Sequence, residues 1–417
     1  MSSSQSVVSS GQPVPSDRLA EVLAAAYRHG PGKEVRPGPA PVGHRRPAGT
    51  AAVSFADLAR SGPTGERLVR VLRTALAPRR FEPWNGFNEH RAYPSPRAAY
   101  LVDVALRTDA GDWRVDPVRD LLHPPTPTST ADFGATGSVQ LALLTRPQRM
   151  PAGYGPLADA LAELEAGHVA GALVEAAAGH GLRVTAGPGP LTSVGAAADA
   201  HDGLTIAVGP PVTPAWPRRR LTAVRSSGLG PRGFGPDPRP LPAEVFDRLV
   251  AAAYQLPPGS PAAWPGLRHA VAVGNVAGRT TGWLDLEPAG PAAGPAIRPA
   301  DAIGQLQRAY SYPRSEVDVA GLPLAWLVSA DIGASVRSGG PTAYRRLLHS
   351  AGALAQHVGT AAAMAGLFCR PVRAVREGTA EAAAGLPAGH DLIYLLLIGR
   401  SRVRDFAYDL SNPEVSL

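Results

Sequence analysis

One helical pattern occurs twice in this chain, and the repeat limits the possible folds more than any other feature. GYGPLADALAELEAGHVAGALVEAAAGHGLRV runs from Gly153 to Val184, and PTAYRRLLHSAGALAQHVGTAAAMAGLFCRPV from Pro341 to Val372. Setting Gly167 on Gly352 brings Ala170 onto Ala355, Leu173 onto Val358, and the Gly181-Leu182 stop onto Gly366-Leu367. Apolar and small residues recur at three- and four-residue steps nearly all round, so each copy reads as a helix enclosed by a core. Roughly thirty residues after each helix comes an apolar strand ending in glycine, LTIAVG to Gly209 and LIYLLLIG to Gly399. Two homologous halves are the simplest account of that order.

Composition narrows the class of partner. A hydrophobic content of 44% over 417 residues is ample for a core. The net charge of +7 accompanies only 18% charged residues. The arginines are spread rather than clustered, which favours an anionic small ligand over a nucleic-acid track. Cys369 is the single cysteine, so no internal disulfide forms and a reducing cytoplasm is expected. The leader SSSQSVVSSGQPVPS has neither a basic start nor a long apolar run and reads as disordered, without a targeting signal. Glu163, Glu165 and His168 interrupt the first alanine-rich helix, and Arg345, Arg346 and His349 the second, so no membrane span is expected.

In chain order, a short helix is expected from Asp17 to Tyr27, and the proline- and glycine-rich run at 29–49 is irregular. Ser54 caps SFADLARS, and Leu68, Val71, Leu72 and Leu76 form the apolar face of a further helix. A turn at Pro94-Ser95-Pro96 leads to a hairpin, YLVDVAL and WRVD, then the linker PPTPTST at 124–130 and the strand VQLALLTR. The second half repeats the plan with PPGSPAAWP, AVAV, WLDL and LAWLVSAD, which aligns Trp113 with Trp283. LPAEVFDRLVAAAYQL reads as a helix with Pro242 in its first turn. The expected divisions are a leader at 1–17, an N-terminal half at 18–212 and a C-terminal half at 213–417. The class is α+β, with a mixed or antiparallel sheet against apolar helices.

Tyr93 to Pro117 spell a Y-P-S-x-x-A-x-Y turn before a hairpin, and Tyr154 leads into the L-E-A-G-H helix that ends at Gly-Leu. The second half adds R-S-S at Arg225 to Ser227, R-G-F at Arg232 to Phe234, and I-G-R-S-R at Ile398 to Arg402. Over roughly residues 54 to 405 this order resembles the nitroreductase superfamily, and within it the SagB/ThcOx-type azoline dehydrogenases of ribosomal peptide biosynthesis. The resemblance implies two tandem halves forming an internal pseudo-dimer, with FMN at their interface. Because the arginine segments occur in the second half only and the fuller Y-P-S turn in the first, it implies one composite site. Arg225, Ser227, Arg232, Arg400 and Arg402 would grip the phosphate, while Pro94, Ser95 and Arg97 cover the ring system.

The implied activity is FMN-dependent oxidation of thiazoline or oxazoline rings in a modified precursor peptide, with a cyclodehydratase subunit as partner. Tyr154 is the expected catalytic residue. The family's lysine just before it is replaced by Gly153, so Arg146 or Arg149 would have to assist a phenol of ordinarily high pKa. Two other readings stay open: an NAD(P)H-driven nitro or quinone reductase, and a non-catalytic scaffold subunit of a peptide-modifying complex. His168 and His180 lack a third ligand at metal-site spacing. GLGPRG lacks the βαβ context of a dinucleotide loop.

Overall fold

A computed structural model describes residues 52–87, 89–109, 111–126, 139–189, 203–214, 225–230, 233–263, 265–286, 297–402 and 406–410. The leader, the 17–27 helix, the 29–49 run, most of the 124–130 linker and Arg232 lie outside the described residues.

The N-terminal half opens with β1 (Val53–Ser54), α1 (Phe55–Arg60) and α2 (Pro63–Leu76). Ser54 Oγ accepts from the Asp57 amide at 3.1 Å and the Asp57 carboxylate accepts from the Ser54 amide, a reciprocal cap that fixes where α1 starts. Leu68, Val71, Leu72 and Leu76 of α2 are buried on the face their spacing defines. Then follow β2 (Arg80–Phe81), β3 (Glu89–His90), β4 (Val102–Thr108), β5 (Gly111–Asp116), β6 (Leu121–His123) and β7 (Val139–Thr145). The long helix α3 (Leu157–His180) leads to β8 (Leu182–Gly189) and β9 (Gly203–Pro211). These strands make a seven-stranded sheet in the order β1-β6-β5-β4-β7-β9-β8, without β2 and β3.

The C-terminal half begins with β10 (Leu229–Gly230), β11 (Gly233–Phe234) and α4 (Ala243–Ala252). It continues through β12 (Arg268–Val273), β13 (Gly282–Leu286), β14 (Arg298–Pro299), α5 (Ala302–Ala309) and β15 (Leu324–Ala330). After α6 (Ile332–Met364) come β16 (Phe368–Val372), α7 (Glu377–Ala384), β17 (Asp391–Gly399) and β18 (Tyr408–Asp409). The six-stranded sheet runs β14-β13-β12-β15-β17-β16. All seven residues of β15 are buried, because helices cover both faces of this sheet.

The two sheets match over six strands, β1 having no counterpart. Hairpin β4–β5 corresponds to β12–β13, β7 to β15, α3 to α6, β8 to β16 and β9 to β17, and every ladder between named strands is antiparallel. Trp113 and Trp283, aligned in sequence, are both buried but on opposite faces: Trp113 packs on the side of α3, and Trp283 packs on the far side of its sheet against α5 and α7. Two details differ from the expectation. A 3-10 turn at Ala152–Tyr154 precedes α3, which starts only at Leu157, after Pro156. The second long helix starts earlier, capped by Asp331, and breaks at Gly340 (φ 64) before Pro341.

α3 and α6 lie side by side and parallel, joining the halves. A Cβ on Gly352 would sit 2.0 Å from the Leu164 carbonyl oxygen, and one on Gly167 2.2 Å from that of His349. The glycines aligned in sequence therefore meet in space, where the helix backbones touch. Glu163 bonds His349 at 2.7 Å toward one end of the contact. Toward the other, Glu175 bonds both His357 and Thr360 at 2.8 Å. The C-terminal end returns to the first half, where β18 pairs with β2. Among the described residues, no helix is long and apolar enough to cross a membrane.

Candidate active site

The turn at 93–100 is unusual backbone. Ser95, preceding Pro96, is extended (φ −134, ψ 139), as steric contact with the proline ring requires. Arg97, Ala98 and Tyr100 then take left-handed φ values of 53, 49 and 48. Each costs about 1 kcal/mol or more for a residue with a side chain, so the surroundings must hold the turn. Ser95 Oγ accepts from the Tyr100 amide at 2.7 Å, the Tyr100 hydroxyl donates to the Glu89 carbonyl at 2.7 Å, and Arg149 donates to the Tyr100 carbonyl.

Across from this turn lies the segment that enters the second half. The Cys369 amide donates to the Ser226 carbonyl at 3.1 Å, tying Arg225-Ser226-Ser227 to β16. Gly228 (φ +75) lets the chain pass directly over the Phe368 ring, which a Cβ would meet at 2.6 Å. The space between is a cavity of about 190 Å³, lined by Pro94, Ser95, Arg97 and Tyr100 from the first half and by Arg225, Ser227 and Arg370 from the second. Five residues expected to share a site, Pro94, Ser95, Arg97, Arg225 and Ser227, thus come together across the halves.

Its charge balance is lopsided. Arg225 and Arg370 make no ion pair among the described residues; Arg370 rests over the Phe234 ring, 5.6 Å from its centroid. Burial lowers the Arg225 pKa from its ordinary value, which marks the cost of holding this cation out of water. Arg97 is exposed at the rim, 5.2 Å from the centroid of the Phe87 ring. Uncompensated forked donors converging on one cavity are what a phosphate dianion needs. The donor set therefore fits the phosphate of FMN, with Arg225, Ser227 and Arg370 as the residues to hold it.

The other expected residues lie elsewhere. Beyond Gly399 the chain crosses to pair with 235–237: the Arg400 carbonyl accepts from the Asp237 amide at 2.7 Å, and the Arg402 amide donates to Gly235 at 3.1 Å. Neither arginine is among the residues lining this cavity. Tyr154 packs, partly buried, against an apolar core built from both halves and is not a lining residue either. Arg146 and Arg149, the cations expected to assist it, both pair with Asp103. His168 bonds the Tyr394 hydroxyl at 3.2 Å and His180 bonds Thr74 at 2.7 Å. Among the described residues, no three metal-ligating side chains cluster.

Two residues at the cavity carry no motif in the sequence. Arg370 sits in the short strand FCRPV, where an arginine reads as strand edge. Glu165 reads in sequence as a charge that interrupts an apolar helix. It is 1% exposed, and Ser95 donates to its Oε2 at 2.7 Å, while Oε1 is buried with no hydrogen-bond partner among the described residues. Burial pushes this carboxyl up to about 7, with the Ser95 hydroxyl and Arg91 pulling only partly the other way.

The equivalent place on the opposite side is filled. There the Ser260-Pro261 turn lies directly on β8: the Ala186 amide donates to the Gly259 carbonyl at 2.9 Å, and a Cβ on Gly259 would meet the Val184 carbonyl oxygen at 2.4 Å. Ser350, the counterpart of Glu165, donates to the Pro261 carbonyl at 2.7 Å.

A protein from Anabaena variabilis assigned to the nitroreductases aligns with this chain at a TM-score of 0.68, covering 88% of this chain and 96% of its own at 15% identity. The fold is that of the nitroreductases. A subunit in the E. coli microcin synthetase McbBCD complex with truncated pro-MccB17 bound aligns with 44% of this chain and 71% of its own (TM-score 0.35, 16% identity). An FMN-dependent nitroreductase from Clostridium difficile aligns with 45% of this chain and 89% of its own (TM-score 0.29, 14% identity). No protein-family model and no curated protein matches the chain.

Proposed function

We propose that this chain is an FMN-dependent oxidoreductase with one composite site, and that its substrate is an azoline ring in a modified peptide. The observation that carries the flavin reading is the pair of guanidiniums without carboxylate partners among the described residues, Arg225 and Arg370, facing the Ser95 turn of the other half across a cavity. Arg225, Ser227 and Arg370 would hold the phosphate, and the Pro94-Ser95 turn would lie against the ring system with Arg97 at the rim. Bound there, FMN would supply a hydride acceptor. The chain's own task is to orient the substrate ring and to give its proton somewhere to go. The azoline substrate, the peptide and cyclodehydratase partners, and the roles of Tyr154, Arg232, Arg400 and Arg402 enter through the sequence resemblance.

The test begins with the absorption spectrum of freshly purified protein and the mass of any released cofactor. A yellow protein releasing FMN supports the reading, whereas a colourless one that takes up no added FMN leaves only a scaffold. Turnover of an azoline peptide with dioxygen then supports the substrate. Turnover only of NAD(P)H with a quinone overturns it.

A further inference from the structure

Glu165 is a buried carboxyl one hydrogen bond from the cavity, and holding FMN gives it no part. Ser95 donates to its Oε2, and the Leu101 backbone amide adds a weaker pull toward the charged form. Ser95 Oγ accepts from the Tyr100 amide and donates to Glu165, so while Glu165 is ionised the only hydroxyl hydrogen of Ser95 points away from the cavity it lines. If Glu165 is protonated, its own O–H can donate to Ser95 Oγ, and the Ser95 hydrogen is free to turn into the cavity. The groups facing Glu165 do not fix it as an anion. Arg91 is drawn to Glu89 at 3.0 Å and lies over the Tyr100 ring, Arg149 is paired with Asp103, and Tyr93 and Tyr394 are phenols that burial keeps neutral. The filled side of the molecule has serine, Ser350, where this side has Glu165.

We propose that Glu165 and Ser95 form a proton relay serving the cavity between the halves, with Glu165 as the store and Ser95 as the contact. A proton leaving Glu165 passes to Ser95 Oγ as Ser95 gives its own hydrogen to an acceptor in the cavity; the reverse step delivers one proton to Glu165. One proton moves and no other bond changes. This inference rests on the flavin reading for the identity of the acceptor.

The test is FMN affinity of the full-length protein, measured by flavin fluorescence from about pH 5.5 to 8.5 across the titration of the pair. Wild type should bind about tenfold more tightly at the acid end, the worth of one hydrogen bond gained from Ser95. E165Q, whose amide donates to Ser95 at every pH, should stay at the tight value; S95A should stay at the loose value. A wild-type affinity that does not change with pH overturns the relay, and so does an E165Q protein that loses affinity as S95A does, since that marks a structural role. FMN binding to none of the three at any pH overturns the flavin reading instead. The infrared carboxyl band of Glu165 then decides the relay: S95A should raise its titration midpoint by removing a donor to the carboxylate, and an unmoved midpoint overturns it.

Discussion

The two serine-proline turns, Ser95-Pro96 and Ser260-Pro261, hold equivalent places in the halves and meet their surroundings in opposite ways. The second rests on β8 through a backbone hydrogen bond, with Gly259 giving the close approach. The first stands off from β16 and carries three left-handed residues that its hydrogen bonds must hold in place. A duplicated fold supplies two interfaces related by symmetry, and here one contributes stability while the other is left as a cavity edged with cations that have no ion-pair partner among the described residues. Buried polar chemistry follows the same division. Glu165 adjoins the open turn, and Ser350 adjoins the closed one.

The comparison depends on the helix contact that creates both sides, and breaking that contact should have the largest effect. Gly352→Val would drive a branched side chain into the Leu164 carbonyl, a backbone atom that cannot rotate away. We expect a loss of about 4 kcal/mol or more, with failure to fold as the upper limit, read from the urea midpoint. Removing both cations of the open side should come next. Arg225→Ala with Arg370→Ala should weaken FMN binding about 10²- to 10⁴-fold, given about 1.5–3 kcal/mol for each charge-assisted bond. Thr185→Ala, at the β8 position equivalent to Arg370, should leave that affinity unchanged.

The third test separates Glu165 from Ser350 by pH. The folded carboxyl titrates near 7 against an ordinary 4.5, so between those values the folded chain holds more protons than the unfolded one. Stability therefore falls as pH rises from about 4.5 to about 7, by about 3 kcal/mol in all, and is flat above. E165Q removes that slope; an unchanged slope in denaturant melts would place the titration elsewhere. His168 acts in the opposite sense. Burial lowers its pKa to about 3, so its contribution is lost as pH falls below the ordinary 6.5 toward 3.

The duplication was legible in the sequence because its marks are local: a 3.6-residue period in the helices, a two-residue period in the hairpins, and glycines at one aligned point. Pro94, Ser95, Arg225 and Ser227 could be grouped because short motifs carried them, and they line one cavity. Arg370 could not be grouped so, because nothing in FCRPV tells which face of a strand meets the other half. Glu165 is similar: a glutamate within an alanine-rich helix gives no sign of being buried until the partner helix and the Ser95 turn are placed around it. Arg400 and Arg402 continue the alternation of β17 in sequence, but the chain leaves the strand at Gly399 to pair with 235–237.

The smallest effect lies on the closed side, and it tests whether that side contributes stability alone. Gly259 has φ +82, a conformation costly for any residue with a Cβ, and its missing side chain leaves room for the Val184 carbonyl at 2.4 Å. Gly259→Ala should cost about 2 kcal/mol by strain and by loosening the turn from β8. FMN affinity and its pH dependence should stay at wild-type values, since this turn is not among the residues lining the open cavity. If the turn lifts instead, and the variant binds a second flavin per chain, the closed side is a suppressed site rather than a structural seam. The stoichiometry of FMN on the variant, one against two, decides between them.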